Sequence, residues 1–300
     1  MKKKQRRIRK HSAYFGKMIN PTRFHASQIK FLLILAPIVF VMVLPILFIV
    51  SHAFKPLDEL YAYPPKFFAS RLTLDNFRNL FELSTQTGIP LSRYLFNSII
   101  VCIIVIICSL LLSSMAAYAF SFLKFKGKKL LFAANQLAIM FVAVAVAVPR
   151  YIVLHGLGIT NTYLAHIIPL LAMPVGIFLL KQFMDQVPRE LVEAAKMDGA
   201  TKWKIYWNIV LPLVKPALAT VAILAFQMTW NNVESSQLFV TNETLKTLPY
   251  YFSTMSLGTS AIASQGIAAA ANLIIFVPNI VVFIILQNKV MNTMAHSGIK

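Results

Sequence analysis

One short polar segment stands out between long apolar runs as a candidate binding element. It consists of Glu193, Ala194, Ala195, Asp198, Gly199 and Ala200, followed at fixed spacing by Ile209, Leu211 and Pro212. Two small side chains next to the Glu193 carboxylate would let the surface of another protein approach a helix closely. The pattern therefore favours a protein-docking element, and an amphipathic connector lying at the lipid headgroups is the alternative.

Local signals around this segment predict two short helices joined by a glycine. Pro188 and Glu190 suit a helix start, and Gly199 suits a left-handed C-terminal cap, which predicts a first helix from Pro188 to Asp198. Thr201 suits the N-cap of a second helix. The spacing of that helix predicts one apolar stripe formed by Trp203, Tyr206, Trp207 and Val210. Pro212 then marks the entry to an apolar run.

Residues that could carry enzyme chemistry lack the spacing that chemistry requires. The six histidines form no HExxH pattern, and no GxSxG occurs. Gly127 and Lys128 resemble the end of a Walker A loop, but Phe122 stands where a glycine is needed and Lys129 where Ser or Thr is needed. We therefore predict no enzyme activity, no cofactor and no metal.

The composition requires lipid as a solvent for much of the chain. Of 300 residues, 58% are hydrophobic and only 13% are charged, so an all-α integral membrane protein is predicted. Six spans are predicted at residues 31–50, 95–122, 130–153, 162–183, 211–231 and 268–287. They define a membrane domain over residues 31–291, between a basic tail of residues 1–30 and a short C-terminal tail of residues 292–300.

Basic residues predict the orientation of these spans. With both termini in the cytoplasm, the outer side keeps few of the 29 Lys and Arg residues: Lys55, Lys66, Arg71, Arg78, Arg93, Arg150 and Lys246. The positive-inside rule favours this arrangement. The basic tail abuts a span and lacks a pattern of stacking aromatics, so it predicts contact with anionic lipid rather than with nucleic acid. The middle of every span also lacks ionisable Asp, Glu, Lys and Arg, which disfavours an ion-coupled carrier.

The polar segment resembles the EAA loop of ABC importer permeases. Glu193, Ala194, Ala195, Gly199, Ile209, Leu211 and Pro212 match its core, and Asp198 and Ala200 match the longer form of the carbohydrate, MalG-like branch. Further landmarks of that branch are Asn97-Ser98, Ala117-Tyr118-Ala119-Phe120, Phe125, Gly127, Gly156-Leu157-Gly158, Asn161-Thr162, Trp230-Asn231 and Thr247-Leu248-Pro249. We call residues 185–212 the EAA loop.

The resemblance implies a six-helix MetI-like permease fold and a division of labour among several proteins. A solute-binding protein outside the cell membrane would deliver a sugar or oligosaccharide, and two permease subunits would form its path. A cytoplasmic ATPase dimer would receive the helix around Glu193. A permease for another solute, such as a peptide, an amino acid or phosphate, is the alternative because the short core of the motif is shared.

Sugar recognition favours neutral amides and aromatic rings within spans. Gln227, Trp230, Asn231 and Asn232 cluster at the predicted outer end of the fifth span, and Asn272 and Asn279 lie in the sixth. Each amide could equally form a hydrogen bond between helices. The outer segment 233–266 could meet a binding protein or fold back into the path, and the sequence leaves this open.

Overall fold

The computed structural model describes residues 27–86, 88–255 and 263–297, and every regular element within these ranges is a helix. The helices are α1 (Ser27–Ala53), α2 (Leu57–Leu60), α3 (Asp75–Gln86), α4 (Leu91–Phe122), α5 (Lys128–Met140), α6 (Ala147–Gly156), α7 (Tyr163–Leu171), α8 (Pro174–Met184), α9 (Arg189–Met197), α10 (Lys202–Leu213), α11 (Lys215–Trp230), α12 (Glu234–Leu238), α13 (Leu248–Met255) and α14 (Ala263–Ser297). The predicted tails lie outside the described residues up to residue 26 and from residue 298. The helix α14 continues through residue 292, where the C-terminal tail was predicted to begin.

Four helical segments are long and apolar enough to cross a membrane. They are Ile29–Ala53, Leu91–Phe122, Tyr163–Met184 and Gln265–Gln287. Two further candidates are bent pairs, α5 followed by α6 and α10 followed by α11. The number of spans reaches the predicted six when each bent pair counts as one span.

Neither bent pair forms the continuous helix that the sequence predicted. In the third span, α5 ends at Met140 and a short turn over Ala143–Val146 precedes α6. The interrupted stretch carries Val142, Val144 and Val146, and β-branched residues lower helix propensity.

The fifth span begins four residues later than predicted. The chain turns by 82° between α10 and α11, so the membrane helix starts at Lys215 instead of Leu211. Pro216 lies in the first turn of α11 and has no N–H to donate to the carbonyl of Pro212. This missing hydrogen bond interrupts the helical ladder and permits the turn.

The largest apolar core forms where α4, α8, α9, α10 and α11 meet. Its fully buried members include Ala117, Leu180, Ile205, Val210 and Val221. Close packing of α8 against α11 depends on Gly176, because a Cβ atom there would lie 3.1 Å from both Met173 Sδ and Val221 Cγ1. The core therefore joins the membrane helices directly to the EAA loop.

The helix α1 packs on α14 and exposes most of its apolar surface. Phe31, Leu33 and Met42 are among its strongly exposed side chains. A helix that is apolar all round and largely uncovered needs lipid or another transmembrane subunit as its surroundings.

Candidate functional site

The first helix of the EAA loop, α9, has one buried face and one exposed face. Pro188 occupies the N-cap position directly before it, and Glu190 lies in its first turn. Val192 and Ala195 are buried in the largest core, and Val187 before the helix joins them. This amphipathic pattern explains why the segment forms a helix at the surface of the bundle.

Gly199 ends α9 with the predicted left-handed cap. Its φ is +77°, a conformation that glycine adopts without steric cost. The Ala200 N–H donates to the Ala195 carbonyl at 2.9 Å, and the Gly199 N–H donates to the Lys196 carbonyl at 3.0 Å. These two bonds form a Schellman motif, which satisfies carbonyls at the helix end and fixes the direction of the chain.

The exposed face of α9 is centred on Glu190, Glu193, Ala194 and Met197, and it is flanked by the exposed side chains of Arg189, Leu191 and Lys196. Met197 is 88% exposed, which is unusual for so large an apolar side chain. In the residues that the structure describes, neither glutamate has an ion-pair partner. The prediction that both alanines border the docking surface was wrong for Ala195, which is only 8% exposed and serves the core.

The second helix, α10, begins at the predicted cap. The Thr201 side chain accepts a hydrogen bond from the Lys204 backbone N–H at 3.3 Å. The turn over Tyr206–Val210 is a π-helix, a widened helical turn that is frequent at functional sites. This turn changes the register of the apolar side chains.

The prediction of one apolar stripe on α10 was correct for two of its four residues. Tyr206 and Val210 are buried, and Ile205 lies beside them with no exposed surface. Trp203 and Trp207, in contrast, are 56% and 39% exposed. The two tryptophans form an aromatic edge-to-face pair at 5.9 Å on the outside of the loop, where aromatic rings suit a lipid or protein interface.

Two tyrosines fasten α10 to α4. The Tyr206 hydroxyl lies 2.7 Å from Ser114 Oγ in a buried contact. The Tyr118 hydroxyl donates to the Lys202 carbonyl at 3.1 Å, and the rings of Tyr118 and Tyr206 lie 5.3 Å apart. Sequence reasoning gave neither Ser114 nor Tyr118 a part in the EAA loop, although Tyr118 belongs to one of the landmark segments.

The last three residues of the EAA motif lie near the end of α10, next to the largest apolar core. Ile209 and Leu211 are half-buried and pack on the largest core, while Pro212 is exposed just before the bend at Val214. The motif therefore combines an exposed face on α9 with a second part that anchors the loop and shapes its connection to α11.

The four residues near the end of α11 that were predicted to contact sugar, Gln227, Trp230, Asn231 and Asn232, differ in their surroundings. Trp230 is buried, stacks on Phe226 at 5.7 Å and donates its Nε1–H to the Ile275 carbonyl at 3.0 Å. Asn232 accepts the Ser235 backbone N–H at 2.9 Å and so supports the start of α12. These two side chains therefore stabilise the fold.

Gln227 and Asn231 share an exposed side of α11. The amide of Asn231 pairs with the amide of Asn279 on α14, with N–O distances of 3.3 and 3.5 Å. Asn279 was noted in the sequence for its place in the sixth span. The structure thus brings two of the four predicted residues and one further amide to a common surface.

The segment predicted to lie on the outer side, which we call the outer segment, folds back onto the bundle over residues 233–255. Buried Asn97 donates to the carbonyls of Thr244 and Lys246 at 2.9 and 2.8 Å and accepts a bond from the Tyr163 hydroxyl at 2.7 Å. The Leu248 backbone N–H donates to Ser98 Oγ at 2.8 Å. Two landmark segments, residues 97–98 and 247–249, thereby hold each other.

His166 adds a second anchor for the outer segment. It is fully buried, with Nδ1 2.7 Å from Ser235 Oγ and Nε2 3.1 Å from the Leu245 carbonyl. An ion pair between Arg150 and Glu234 at 3.0 Å holds the start of α12 against α6. This histidine therefore has a structural role between α7 and the folded-back segment.

Residues 109–289 match the model of the family described as "Binding-protein-dependent transport system inner membrane component". The match covers more than half of the chain and includes the whole EAA loop, and the chain belongs to this family. The predicted resemblance to ABC importer permeases is confirmed. The chain is accordingly a transmembrane component of a transport system at the inner membrane and not an enzyme.

Several characterised relatives align with nearly the whole chain. The arabinooligosaccharides transport system permease protein AraQ of Halalkalibacterium halodurans is 31% identical over 265 residues, which cover 88% of this chain and 93% of that protein. The trehalose transport system permease protein SugB of Mycobacterium tuberculosis is 31% identical over 259 residues, covering 86% and 92%. The trehalose/maltose transport system permease protein MalG of Thermococcus litoralis is 30% identical over 247 residues, covering 80% and 87%.

The fold is also similar to that of a chain in the crystal structure of a bacterial ABC transporter involved in the import of the acidic polysaccharide alginate. The TM-score is 0.74, and the superposition covers 89% of this chain and 98% of that chain. Sequence identity is 19%, so this likeness concerns the fold alone. It confirms the predicted helical permease fold.

Proposed function

We propose that this chain is one of the two permease subunits of a carbohydrate importer and forms half of the path for a sugar or oligosaccharide. The observation that carries the proposal is family membership together with relatives named for arabinooligosaccharides, trehalose and maltose. The largely uncovered apolar surface of α1 supports a second transmembrane subunit, because a complete path needs more walls than one chain offers.

The exposed face of α9 is the proposed docking surface for a cytoplasmic ATPase. Ala194 leaves room for close approach, and Met197 offers an apolar side chain that a partner would cover. The carboxylates of Glu190 and Glu193 lie on the same face and are available to basic groups of the partner. Such a mixture of exposed apolar side chains and flanking charges is typical of protein interfaces.

Movement of a docked α9 would reach the membrane helices through packed side chains. Val192 and Ala195 of α9 share one core with Tyr206 of α10 and with Ala217 and Val221 of α11. Interiors packed to this density transmit displacement rather than absorb it. Closure of the ATPase would therefore shift α10 and α11 together.

The proposed orientation places the EAA loop and both termini in the cytoplasm. Lys128 and Lys129 at the start of α5 line the same cavity as Lys181 of α8 and Arg189 of the EAA loop, so these basic residues share one end of the bundle. Glu234 and Glu243 belong to the folded-back segment at the other end. The positive-inside rule supports this assignment.

The proposed sugar contacts are Gln227 and Asn231, together with Asn279. Their amides lie on an exposed side of the subunit and offer both donors and acceptors, which neutral sugar hydroxyls require. A solute-binding protein would deliver the sugar to this end of the path.

The proposal is tested by purifying the tagged chain from its native membranes in mild detergent and identifying the proteins that remain bound. We expect a second permease and a Walker-containing ATPase, and we expect Glu193→Lys to lose the ATPase while keeping the permease. Asp75→Lys, which reverses an exposed charge on α3, is the matched control and should keep both partners. Recovery of the chain without an ATPase would contradict the importer.

Uptake assays with labelled sugars, peptides, amino acids and phosphate then test the solute, and uptake of a non-sugar solute alone would contradict the carbohydrate assignment.

A further inference from the structure

A cavity of about 450 Å³ lies beside the EAA loop. It forms where four helices meet, at the end of α4, the start of α5, the end of α8 and the start of α9. Its lining combines aromatic and apolar side chains with five charged ones, Lys128, Lys129, Lys181, Asp185 and Arg189. The volume is in the range of small-molecule sites, and neither the EAA motif nor the amide cluster on α11 includes it.

The charge of the cavity is strongly positive. Four basic side chains and one carboxylate line it, which leaves three net positive charges. Asp185 is already paired with Lys181 at 2.5 Å. Among the described residues, Lys129 and Arg189 have no carboxylate within ion-pair distance, and Lys128 donates only to the Leu123 carbonyl at 3.1 Å. Like charges held this close repel one another, so an anion in the cavity would relieve the repulsion.

The remaining walls of the cavity are apolar and aromatic. Phe120 and Phe132 lie 5.5 Å apart, and the Lys181 ammonium lies 4.6 Å from the centre of the Phe132 ring. The Ser121 hydroxyl is buried here without a hydrogen-bond partner. A buried hydroxyl is rarely left unpaired. The site therefore presents cations and an apolar wall to one ligand.

We propose that this cavity binds the phosphate headgroup of an anionic phospholipid from the cytoplasmic leaflet. Directly after Lys129, the side chains of Leu130 and Leu131 are 74% and 55% exposed, and they offer an apolar track for acyl chains leaving the cavity. Basic pockets between helices on the cytoplasmic side are suited to such headgroups. The cytoplasmic placement rests on the orientation proposed above.

The bound headgroup would act on the EAA loop through Arg189. This residue is the first of α9, whereas Lys128 and Lys129 begin α5 and Lys181 belongs to α8. A phosphate held by these side chains would tie α9 to two membrane helices. Anionic lipid would thereby support the position of the proposed docking surface.

The test uses the purified importer in nanodiscs of phosphatidylcholine, with or without a minor share of phosphatidylglycerol. Lipid that stays bound after transfer to detergent is counted per chain by native mass spectrometry. The double variant Lys129→Gln/Arg189→Gln should retain roughly 25-fold less phosphatidylglycerol, about fivefold for each basic residue lost near the lipid. The control is Lys124→Gln/Lys126→Gln, which removes two exposed charges of the neighbouring loop that do not line the cavity. This control should retain the lipid.

Each other outcome would overturn the proposal in a recognisable way. Equal retention by both double variants would place the lipid elsewhere on the protein. Release of the lipid by millimolar inorganic phosphate, with equal function in both kinds of nanodisc, would assign the cavity to a soluble phosphate compound. Loss of the ATPase from the cavity variant with unchanged lipid retention would make the cavity part of the protein interface. Because lipid is counted on the chain itself, the result does not depend on whether the solute is a sugar.

Discussion

The Tyr206 hydroxyl lies 2.7 Å from Ser114 Oγ, and this buried contact fastens the second helix of the EAA loop to α4. Tyr118 strengthens the attachment from the same helix through the Lys202 carbonyl. The EAA loop is therefore attached to α4 as well as to α11. A displacement of α9 by a docked partner would reach two membrane helices at once.

Replacing Tyr206 by Phe is expected to weaken coupling while leaving the fold intact. The ring continues to fill the core, and the lost hydrogen bond lowers the stability of the contact by about 1 kcal/mol. Ser114→Ala should have at least as large an effect, because it leaves the buried Tyr206 hydroxyl without a partner and also removes the bond from Ser114 Oγ to the Leu111 carbonyl. The double variant should be no worse than Ser114→Ala alone, because both substitutions remove the same bond between the two side chains. The ratio of solute transported to ATP hydrolysed is the measurement. Additive effects of the two substitutions would show that the residues act independently.

Gly199→Val is expected to reduce ATPase binding through backbone strain. A Cβ atom at this position would have no neighbour within 4 Å, so the effect would come from the φ of +77° and not from a clash. The left-handed conformation costs a residue with a Cβ atom about 1–2 kcal/mol of conformational energy, and it costs Asn less. Gly199→Asn should therefore bind the ATPase better than Gly199→Val. Gly158→Val, at a φ of +67° away from the EAA loop, controls for strain alone and should leave ATPase binding unchanged.

The two alanines of the motif are expected to respond differently to added bulk. Ala194→Leu enlarges the exposed face and should weaken ATPase binding by roughly tenfold, or about 1.4 kcal/mol, at an unchanged melting temperature. Ala195→Leu should instead lower the free energy of unfolding by about 1–3 kcal/mol, because it overpacks the core. Thermal unfolding in detergent and ATPase co-purification separate the two effects. Equal behaviour of the two variants would contradict the division into exposed and buried faces.

Local signals predicted the EAA loop well because they act over a few residues. The Gly199 cap and the Thr201 cap depend on backbone conformation and on one neighbouring N–H, and both were confirmed. The direction of Ala195 was not predictable in the same way, since it depends on which side of α9 meets the bundle. The π turn at Tyr206 likewise changes the direction of the side chains on α10, and a regular helical period does not predict this change.

Contacts over long sequence separation escaped prediction for a different reason. The hydrogen bonds from Asn97 to residues 244 and 246 join positions about 150 apart, and a single sequence carries no record of such pairs. The breaks in the third and fifth spans were not predicted, because apolar composition alone indicates one continuous helix for each span. The valines before α6 and Pro216 in α11 were nevertheless visible signals of those breaks.

Asn231→Ala is expected to lower sugar uptake without unfolding the protein. The Asn231 side chain is exposed, and loss of one hydrogen bond to the solute corresponds to about 0.5–1.5 kcal/mol, or roughly a two- to thirteenfold change. The contrasting variant is Trp230→Ala, which removes a buried ring and should destabilise the fold by about 3–5 kcal/mol. Initial uptake rates of the labelled sugar that the wild-type importer transports, normalised to folded protein, provide the measurement. An unchanged rate for Asn231→Ala would remove this residue from the proposed path.

Asn97→Ala is expected to loosen the outer segment from the bundle. The substitution leaves the buried Lys246 carbonyl without its donor and the Tyr163 hydroxyl without its acceptor, whereas the Thr244 carbonyl keeps a hydrogen bond from Arg93 Nε at 3.1 Å. Unpaired buried groups cost about 1–3 kcal/mol each, so a loss of several kcal/mol is expected. Asn272→Ala removes an exposed amide from α14 and should leave the melting temperature nearly unchanged. Limited proteolysis within residues 240–255 should be faster in Asn97→Ala alone, because that variant releases the segment while the membrane helices stay folded. Global unfolding without local cleavage would instead mean that Asn97 holds the helices together and not the folded-back segment.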